Sequence, residues 1–282
     1  EKDIDKTVTL SGWVNKRRDH GGIIFVDLRD HTGIVQIVFN PDNKDIFKEA
    51  EILRSEFVIS VTGTITARSE DTINEDISSG KIEVVANHLT ILNNSETPPF
   101  MINDHNVSED LKLQYRYIDL RSRKLQNNLK FRSDLLKVIR DYFHENEFID
   151  VETPILTKTT PEGARDYLVP SRLKKESFFA LPQSPQIFKQ TLMIGGIEKY
   201  YQIARCFRDE DLRSDRQPEF TQLDVELAFA TEEKIIDLTE KLFHKIFKDI
   251  FSVNDVVFNK MTYEDAMENY GCDKPDLRNP LK

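Results

Sequence analysis

The sequence predicts a chain of two domains, an all-β barrel followed by a larger α+β domain built on an antiparallel sheet. Its 282 residues are enough for about two domains of ordinary size. The first 92 residues have the pattern of five strands with one short helix, and the remainder interleaves strands with helices. Between them, residues 93–100 show no periodicity and contain Pro98 and Pro99, which indicates a linker.

The N-terminal barrel is predicted from short stretches rich in β-branched and aromatic residues, which alternate in hydrophobicity and are bounded by Gly, Asn and Asp. One stretch between the third and fourth strands, 44–56, has the pattern of a short helix instead. Five strands with a helix after the third indicate a small closed barrel of the OB type. The predicted strands are 8–14, 23–28, 34–39, 57–65 and 82–92.

The second part of the chain follows a connecting segment, 111–124, that is dense in cations. Apolar residues at helical spacing then predict an amphipathic helix over 122–146. A strand and turn, a helix from Ser184, a long hairpin and a helix near 231–250 follow, and this order favours an antiparallel α+β sheet. The expected domains are a barrel at 1–95, a hinge at 96–124 and an α+β domain at 125–282.

The composition is that of an ordinary soluble protein, with 39% hydrophobic and 31% charged residues. No apolar run reaches the ~18 residues of a membrane span and no signal peptide is visible, so we expect a cytoplasmic protein. Cys206 and Cys272 lie far apart without metal-ligand spacing, which predicts free thiols and no protein metal site. The net charge of −10 disfavours general nucleic-acid binding but allows a local basic patch.

The predicted hairpin around 206–220, CFRDEDLRSDRQPEF, crowds acids and arginines between its two strands. Residue alternation puts Arg208 and Glu210 on one side of the first strand, and Asp224 and Glu226 along one face of the second. Such a polar stripe is either solvent-facing or the floor of a site for a polyphosphate and an amine. The second alternative is physically reasonable because an arginine fork binds phosphate and carboxylate groups bidentately.

Several segments resemble the motifs of class II aminoacyl-tRNA synthetases. FRDE at 207–210, with its return strand FTQLD, resembles motif 2, and FIDVETPIL at 148–156 resembles motif 1. YRYIDLR at 115–121 is similar to the hinge of the subclass with an N-terminal OB domain. The stretches that resemble the bacterial aspartyl enzymes of this class most closely are 160–172, 183–190 and 211–226. The resemblance covers essentially the whole chain and is therefore specific.

The resemblance implies a reaction in which ATP, accompanied by Mg²⁺, activates L-aspartate, and the aspartyl group then passes to the 3′ end of tRNA-Asp. It implies that Arg208 is the catalytic residue, because it would bind the substrate carboxylate and the α-phosphate where negative charge accumulates. The residues implied to contact ATP are Arg208, Asp209, Glu210 and Gln217.

The same resemblance implies an aspartate pocket formed by Glu162, Gln186, Lys189, Arg208 and Asp224. Lys189 would pair with the substrate side-chain carboxylate, so asparagine would leave this ammonium unpaired. Glu162, beside Gly163, would close on the substrate amine. From pattern alone, however, Gln186 and Lys189 form an ordinary surface pair and Glu162 is an exposed loop acid.

In the barrel, a basic turn lies near an aromatic residue on a strand, which is the layout expected for unstacked single-stranded bases. A solvated turn is the alternative, and Trp13 is expected in the barrel core.

By resemblance this face of the barrel reads the anticodon, with Phe25 stacking on a base and Gln36 reading a base edge. The turn RDHGG at 18–22 resembles a relaxed type that also accepts tRNA-Asn. The residues expected to contact tRNA are Lys16, Arg18, His20, Phe25 and Gln36, with phosphate contacts added from the hinge by Lys112, Arg116, Arg121, Arg123 and Lys124.

Motif 1 implies a homodimer with Pro154 near the active site of the partner. Motif 3, a Gly-rich segment with an ATP-binding arginine, is not found, so we expect this sequence to be part of a longer protein and to be inactive alone. Two alternatives remain open: a tRNA-binding module without catalysis, and an amidating enzyme related to asparagine synthesis. The barrel argues against the second, because such an enzyme has no anticodon to read.

Overall fold

The structure, a computed structural model, describes residues 2–102, 104, 106–211 and 216–278. The chain forms two compact units, Glu1–Gln126 and Asn127–Lys282. The segment expected as a hinge, 96–124, groups with the barrel in the first unit. Within the described part of the chain, no helix is both long enough and apolar enough to cross a membrane.

The first unit contains a closed five-stranded barrel, which confirms the predicted OB-type fold. Its strands follow the order β1-β2-β3-β5-β4, and the strand pairs are antiparallel except for β3 with β5. Helix α1 follows the third strand, as predicted, but ends earlier than expected. The elements are β1 (Thr7–His20), β2 (Ile23–Arg29), β3 (Ile34–Phe39), α1 (Lys44–Glu51), β4 (Val58–Ala67) and β5 (Ile82–Asn93).

The barrel core follows from the period-two alternation of its strands. In β2, Ile24, Val26 and Leu28 are buried in the core, while Phe25 and Asp27 lie on the outer surface. The same alternation in the other strands, together with an apolar side of α1, completes one continuous cluster. The outer surface of the barrel is therefore free to carry polar and aromatic side chains.

Strand β1 is longer than predicted, so Lys16 and Arg18 lie on a strand and not in the basic turn that the sequence suggested. A β-bulge just before Lys16 interrupts the alternation, and β1 then remains paired with β2 up to His20. The turn itself is only Gly21 and Gly22. Their φ values of +61° and +79° are those of a two-residue hairpin turn that favours glycine.

Trp13 does not lie in the barrel core, contrary to the expectation. Its neighbours in β1, Gly12 and Val14, are the buried residues, so Trp13 is on the outer side and only half-buried. The guanidinium of Arg121 lies 5.5 Å from the centroid of its ring. The phosphate contact expected for Arg121 would therefore have to replace an existing partner.

A buried carboxylate, Glu56, holds the same arginine. Glu56 is 5% exposed and accepts hydrogen bonds from Arg29 at 2.9 and 2.7 Å, and Arg121 also donates to it. Arg29 donates in addition to Asn15 Oδ1 at 2.7 Å. This network links the barrel to the connecting segment, which is helical in α2 (Glu109–Gln114) and α3 (Arg116–Asp119) rather than irregular.

The second unit contains a three-stranded sheet, a separate antiparallel pair of strands, β7 and β8, and helices, which agrees with the predicted α+β class. The sheet has the order β10-β9-β6, with β9 and β10 antiparallel and β6 parallel to β9 over two residues. Its elements are α4 (Arg123–Glu145, which begins in the first unit), β6 (Ile149–Asp150), β7 (Leu168–Pro170), β8 (Phe178–Ala180), α5 (Gln186–Ile194), β9 (Lys199–Phe207), β10 (Glu219–Leu227), α6 (Glu232–Phe251) and α7 (Tyr263–Tyr270).

Helices α4 and α6 cover one face of this sheet. Phe143 of α4 stacks on Tyr201 of β9 with ring centroids 4.8 Å apart, and Leu242 of α6 joins the same apolar cluster. Ile203 and Leu223 of the hairpin strands pack against it from the sheet. Because this face is apolar, the opposite face of β9 and β10 carries the polar residues.

Candidate functional site

The polar face of the β9–β10 hairpin has the residues that alternation predicted, but it is not a solvated stripe. Gln202 lies opposite Asp224, and Ala204 lies opposite Gln222. Gln202 is 8% exposed and Asp224 is 5% exposed. Burial of charged and amide groups on a sheet surface favours a binding pocket over the solvent-facing alternative.

Helix α5 places Lys189 over this face. Its Nζ donates to Asp224 Oδ1 at 3.0 Å and lies 3.2 Å from Glu226 Oε2, while Gln222 Nε2 donates to the same Asp224 oxygen at 3.2 Å. Burial disfavours the ammonium, but the two carboxylates outweigh it and raise the pKa of Lys189 above its ordinary value. Lys189 is thus a held cation and not a surface lysine, whereas Gln186, one turn earlier, is half-buried.

A second layer of polar residues supports Asp224. One atom of the Gln202 amide lies 2.9 Å from Thr153 Oγ1, 2.8 Å from Tyr200 Oη and 3.2 Å from the carbonyl oxygen of Val151. A carbonyl oxygen only accepts, so this atom is the amide nitrogen and it donates. Burial, and then the Asp224 carboxylate, raise the pKa of the Tyr200 hydroxyl.

The loop before β7 brings Glu162 to the start of α5. Both carboxylate oxygens of Glu162 lie within reach of Ser184 Oγ, at 3.2 and 3.1 Å. The base of the loop is fixed by Gln183, which is 1% exposed and donates to the carbonyl oxygen of Ala164 at 2.9 Å. Gly163 at the tip has a φ of +47°. Glu162 is therefore docked on polar groups and is not an isolated loop acid.

The charged end of the hairpin encloses a cavity of about 330 Å³. Arg208 lies over the ring of Phe220 with 4.9 Å to its centroid, and its backbone N–H donates to the carbonyl oxygen of Pro218 at 2.8 Å. The lining is Arg208, Glu210, Asp211, Arg216, Gln217, Pro218 and Phe220. Residues 212–215 of the predicted motif lie outside the described residues.

Asp209 is the one predicted nucleotide contact that is not part of this lining. Its carboxylate lies 3.7 Å from the Arg165 guanidinium, and its N–H donates to the Arg165 carbonyl oxygen at 3.0 Å. Nearby, burial raises the pKa of the Cys206 thiol to about 11. This thiol is fully buried and stays protonated at neutral pH, so Cys206 is a packing residue and not a nucleophile.

In the first unit, the outer face of the barrel brings three of the five predicted residues together. Arg18 lies opposite Phe25 in the sheet, and its guanidinium donates to Gln36 Oε1 at 3.1 Å. Gln36 Nε2 in turn donates to Glu83 Oε2 at 2.8 Å, and Arg18 also pairs with Asp27. Burial is the main reason that the pKa of Asp27 is raised, in spite of the nearby cations.

The other two predicted residues, Lys16 and His20, are exposed and flank Arg18 along β1. His20 is the last residue before the glycine turn. Sequence reasoning missed Asp27 and Glu83 on this face. Alternation with Phe25 could have indicated Asp27, but Glu83 reaches Gln36 only through the pairing of β3 with β5, which no local pattern reveals.

Within the part of the chain that the structure describes, no group of three or more His, Cys, Asp or Glu side chains has an arrangement that could hold a metal ion. The acidic residues Glu210 and Asp211 line the cavity together with Arg208. Oxygen donors of this kind suit Mg²⁺ when a phosphate supplies the remaining ligands.

Comparison with known proteins gives two family matches. Residues 8–92 match a model described as an OB-fold nucleic acid binding domain, and residues 108–282 match one described as tRNA synthetases class II (D, K and N). Proteins named aspartate–tRNA(Asp/Asn) ligase from Legionella pneumophila strains Corby and Paris are each 56% identical over 284 residues. The match covers 100% of this chain but 48% of each relative, so the chain spans about half their length.

Solved structures that resemble this chain are also tRNA synthetases. Asparaginyl-tRNA synthetase from Pyrococcus horikoshii, complexed with asparaginyl-adenylate, matches with a TM-score of 0.78 and 27% identity over 90% of this chain and 57% of that one. The Entamoeba histolytica asparaginyl-tRNA synthetase matches in fold with a TM-score of 0.78 and 24% identity over 94% of this chain and 62% of that one. Because the synthetase model matches more than half of the chain, including the buried pocket and the charged hairpin, this chain belongs to the class II tRNA synthetases of the D, K and N group.

Proposed function

We propose that the protein containing this chain is an aspartate–tRNA ligase, which activates L-aspartate with ATP and transfers it to the 3′ end of tRNA-Asp. One observation carries the proposal. A single buried face of the β9–β10 hairpin has an ammonium-centred pocket at Lys189 and Asp224, and an arginine over an aromatic ring at Arg208 and Phe220. An amino acid joined to a nucleotide through phosphate needs two such subsites side by side.

The amino-acid subsite suits aspartate. Lys189 supplies the cation for the side-chain carboxylate, and Glu162 and Asp224 supply carboxylates for the substrate ammonium, with Gln186 at the start of the same helix. Asp224 Oδ2 is buried and, in the described part of the chain, has no hydrogen-bond partner. An orphaned buried carboxylate oxygen is a strong acceptor for an ammonium group.

The nucleotide subsite suits attack of the aspartate α-carboxylate on the α-phosphorus of ATP, with pyrophosphate as the leaving group. Arg208, fixed by Phe220 and by its backbone hydrogen bond, would hold the negative charge that develops at phosphorus. Glu210, Gln217 and Asp209 would contact the rest of the nucleotide. Glu210 and Asp211 would hold Mg²⁺ together with the phosphates, and the ion would neutralise phosphate charge.

The barrel face suits an unstacked anticodon. Phe25 offers a ring for stacking, Gln36 an amide edge, and Lys16 and Arg18 positive charge. We also propose relaxed recognition that includes tRNA-Asn, because His20 can donate and accept and the two following glycines leave the turn free to adapt. The names of the Legionella relatives include both tRNA-Asp and tRNA-Asn, which supports this proposal.

We further propose a cytoplasmic homodimer built on motif 1. Pro154 is exposed and lines a groove of about 540 Å³ together with Pro182 and Pro185. Ile203 and Arg205 also line this groove, and they lie on β9 beyond its short pairing with β6. An open strand edge next to an exposed proline is a reasonable place for a second copy.

The test is ATP–pyrophosphate exchange by the full-length protein with aspartate or asparagine, followed by aminoacylation of tRNA-Asp. We expect exchange with aspartate only. A full-length protein that binds tRNA-Asp but shows no exchange would instead be a tRNA-binding module. Exchange without any tRNA charging, together with asparagine formation, would indicate the amidating enzyme.

A further inference from the structure

We propose that Glu226 is a displaceable partner of Lys189, and that the side-chain carboxylate of the substrate takes its place. The inference rests on the proposed function, because it concerns the charge that the amino-acid pocket presents to aspartate. It assigns a specificity role to a residue that lies on the polar face but has none so far.

The two carboxylate partners of Lys189 are held differently. Asp224 is 5% exposed and accepts hydrogen bonds from both Lys189 and Gln222, at 3.0 and 3.2 Å. The side chain of Glu226 is 35% exposed, and Lys189, at 3.2 Å, is its only cationic partner in the described part of the chain. Asp224 is therefore the fixed partner and Glu226 the removable one.

The charges of this cluster also favour an exchange. One ammonium, Lys189, faces two carboxylates, so the three side chains sum to a net charge of −1. The substrate ammonium would offset the charge of Asp224, but a substrate carboxylate added at Lys189 would still meet the carboxylate of Glu226 at one cation whose side chain is 12% exposed. Repulsion between like charges is strong in such a partly desolvated place. If Glu226 turns toward the solvent that it already touches, the substrate can occupy its position at Lys189.

This exchange affects aspartate and asparagine differently. The neutral side chain of asparagine can bind without displacing Glu226, whereas aspartate must compete with it. A purely structural Glu226, which only holds Lys189 in place, would predict the opposite sign: its loss would weaken aspartate binding. The sign of the change therefore separates the two roles.

The experiment uses the full-length protein with Glu226→Gln, which keeps the size of the side chain and removes its charge. In ATP–pyrophosphate exchange, we expect the KM for aspartate to fall about threefold to tenfold, with kcat unchanged within about twofold. The Ki of asparagine as a competitor should change by less than about twofold. The matched control is Glu219→Gln, on the same strand but on the other face, where Glu219 pairs with Arg205 at 3.3 Å. The control should leave all three constants unchanged.

An increase or no change in the KM for aspartate, or a parallel change for aspartate and asparagine, would overturn the proposal. Glu226→Asp provides a second variant if the glutamine variant does not fold, as judged by its melting temperature. Its shorter side chain holds Lys189 less well, so a smaller decrease in the KM for aspartate is expected, and an increase again contradicts the proposal. Wild-type protein without aspartate-dependent exchange would instead refute the proposed function itself.

Discussion

Two sheet surfaces of this chain carry arginine or lysine next to carboxylates, and they differ in how firmly those charges are held. At the β9–β10 hairpin, Lys189 of helix α5 and Asp224 of β10 have side chains that are 12% and 6% exposed. On the barrel, the Arg18 and Asp27 side chains are 39% and 17% exposed.

The difference corresponds to two kinds of recognition. A buried ion pair distinguishes a carboxylate from an amide, because an unpaired charge is costly where water is excluded. An exposed arginine beside an aromatic ring suits the flexible bases and phosphates of a single strand, whose binding depends on stacking and salt. The predictions that follow test this contrast, beginning with the largest effect.

Loss of the Arg208 guanidinium should have the largest effect. In the full-length protein, Arg208→Ala should lower the rate of aspartate-dependent ATP–pyrophosphate exchange by about 10²-fold to 10³-fold, as for other preorganised charge-stabilising donors. Binding of tRNA-Asp should remain, because it depends on the barrel. Arg132→Ala is the matched control, because the Arg132 guanidinium donates to Thr221 Oγ1 at 2.9 Å on the other face of the hairpin. Exchange within tenfold of the wild-type rate would contradict the role of Arg208.

Loss of the barrel aromatic should weaken tRNA binding and spare amino-acid activation. Phe25→Ala should raise the Kd for tRNA-Asp by about 5-fold to 150-fold, which corresponds to the 1–3 kcal/mol of one base–aromatic stack. Phe25→Tyr keeps the ring and should stay close to wild type. The measurement is filter binding at constant salt, with pyrophosphate exchange as the internal control. An unchanged Kd for the alanine variant would exclude stacking on this ring.

Relaxed tRNA selection should give a smaller difference, between two substrates of the same protein. We expect kcat/KM for tRNA-Asp and tRNA-Asn to agree within about tenfold, a difference below about 1.4 kcal/mol. Aminoacylation of both purified tRNAs with aspartate measures it. A preference for tRNA-Asp above about 10³-fold would show that the barrel reads the differing base strictly.

The smallest effect concerns stability. The raised pKa of Asp27 means that its charged form is penalised in the folded state, so stability falls as the pH rises from about 3.8 through the folded pKa. Asp27→Asn should therefore raise the free energy of unfolding at pH 7 by less than about 1 kcal/mol. This net gain is small because the variant also loses the ion pair with Arg18. The gain in stability should shrink below pH 4, where the wild-type Asp27 side chain is protonated and therefore neutral, like the asparagine of the variant. Thermal melts across pH check this, and destabilisation at pH 7 would show that the ion pair dominates.

The sequence allowed the hairpin face to be predicted because strand alternation is local. Period two placed Arg208 and Asp224 on the polar faces of their strands, and the register confirms that β9 and β10 present these residues on one face. Their roles in a site were inferred from the family resemblance. The barrel was less predictable at β1, where a bulge before Lys16 hides the continuation of the strand. Trp13 was assigned to the core although it alternates with Gly12 and Val14, which are the buried residues of β1.

The partners of the site residues could not be predicted, because they come from distant parts of the chain. Lys189 meets Glu226 only when α5 lies over β10, and Gln36 meets Glu83 only through a parallel strand pair. Charge density in the sequence indicates where cations and anions are abundant. It does not indicate which of them are paired, buried or free to bind a ligand.

The buried Glu56 has a consequence for cutting this protein into pieces. A barrel excised at residue 95 would lose Arg121 and would leave Glu56 with Arg29 alone, and Trp13 would lose the guanidinium that covers its ring. An excised anticodon-type module should therefore extend to Gln126, the end of the first compact unit. In protein engineering, the helical connecting segment is better transferred together with the barrel than used as a replaceable spacer.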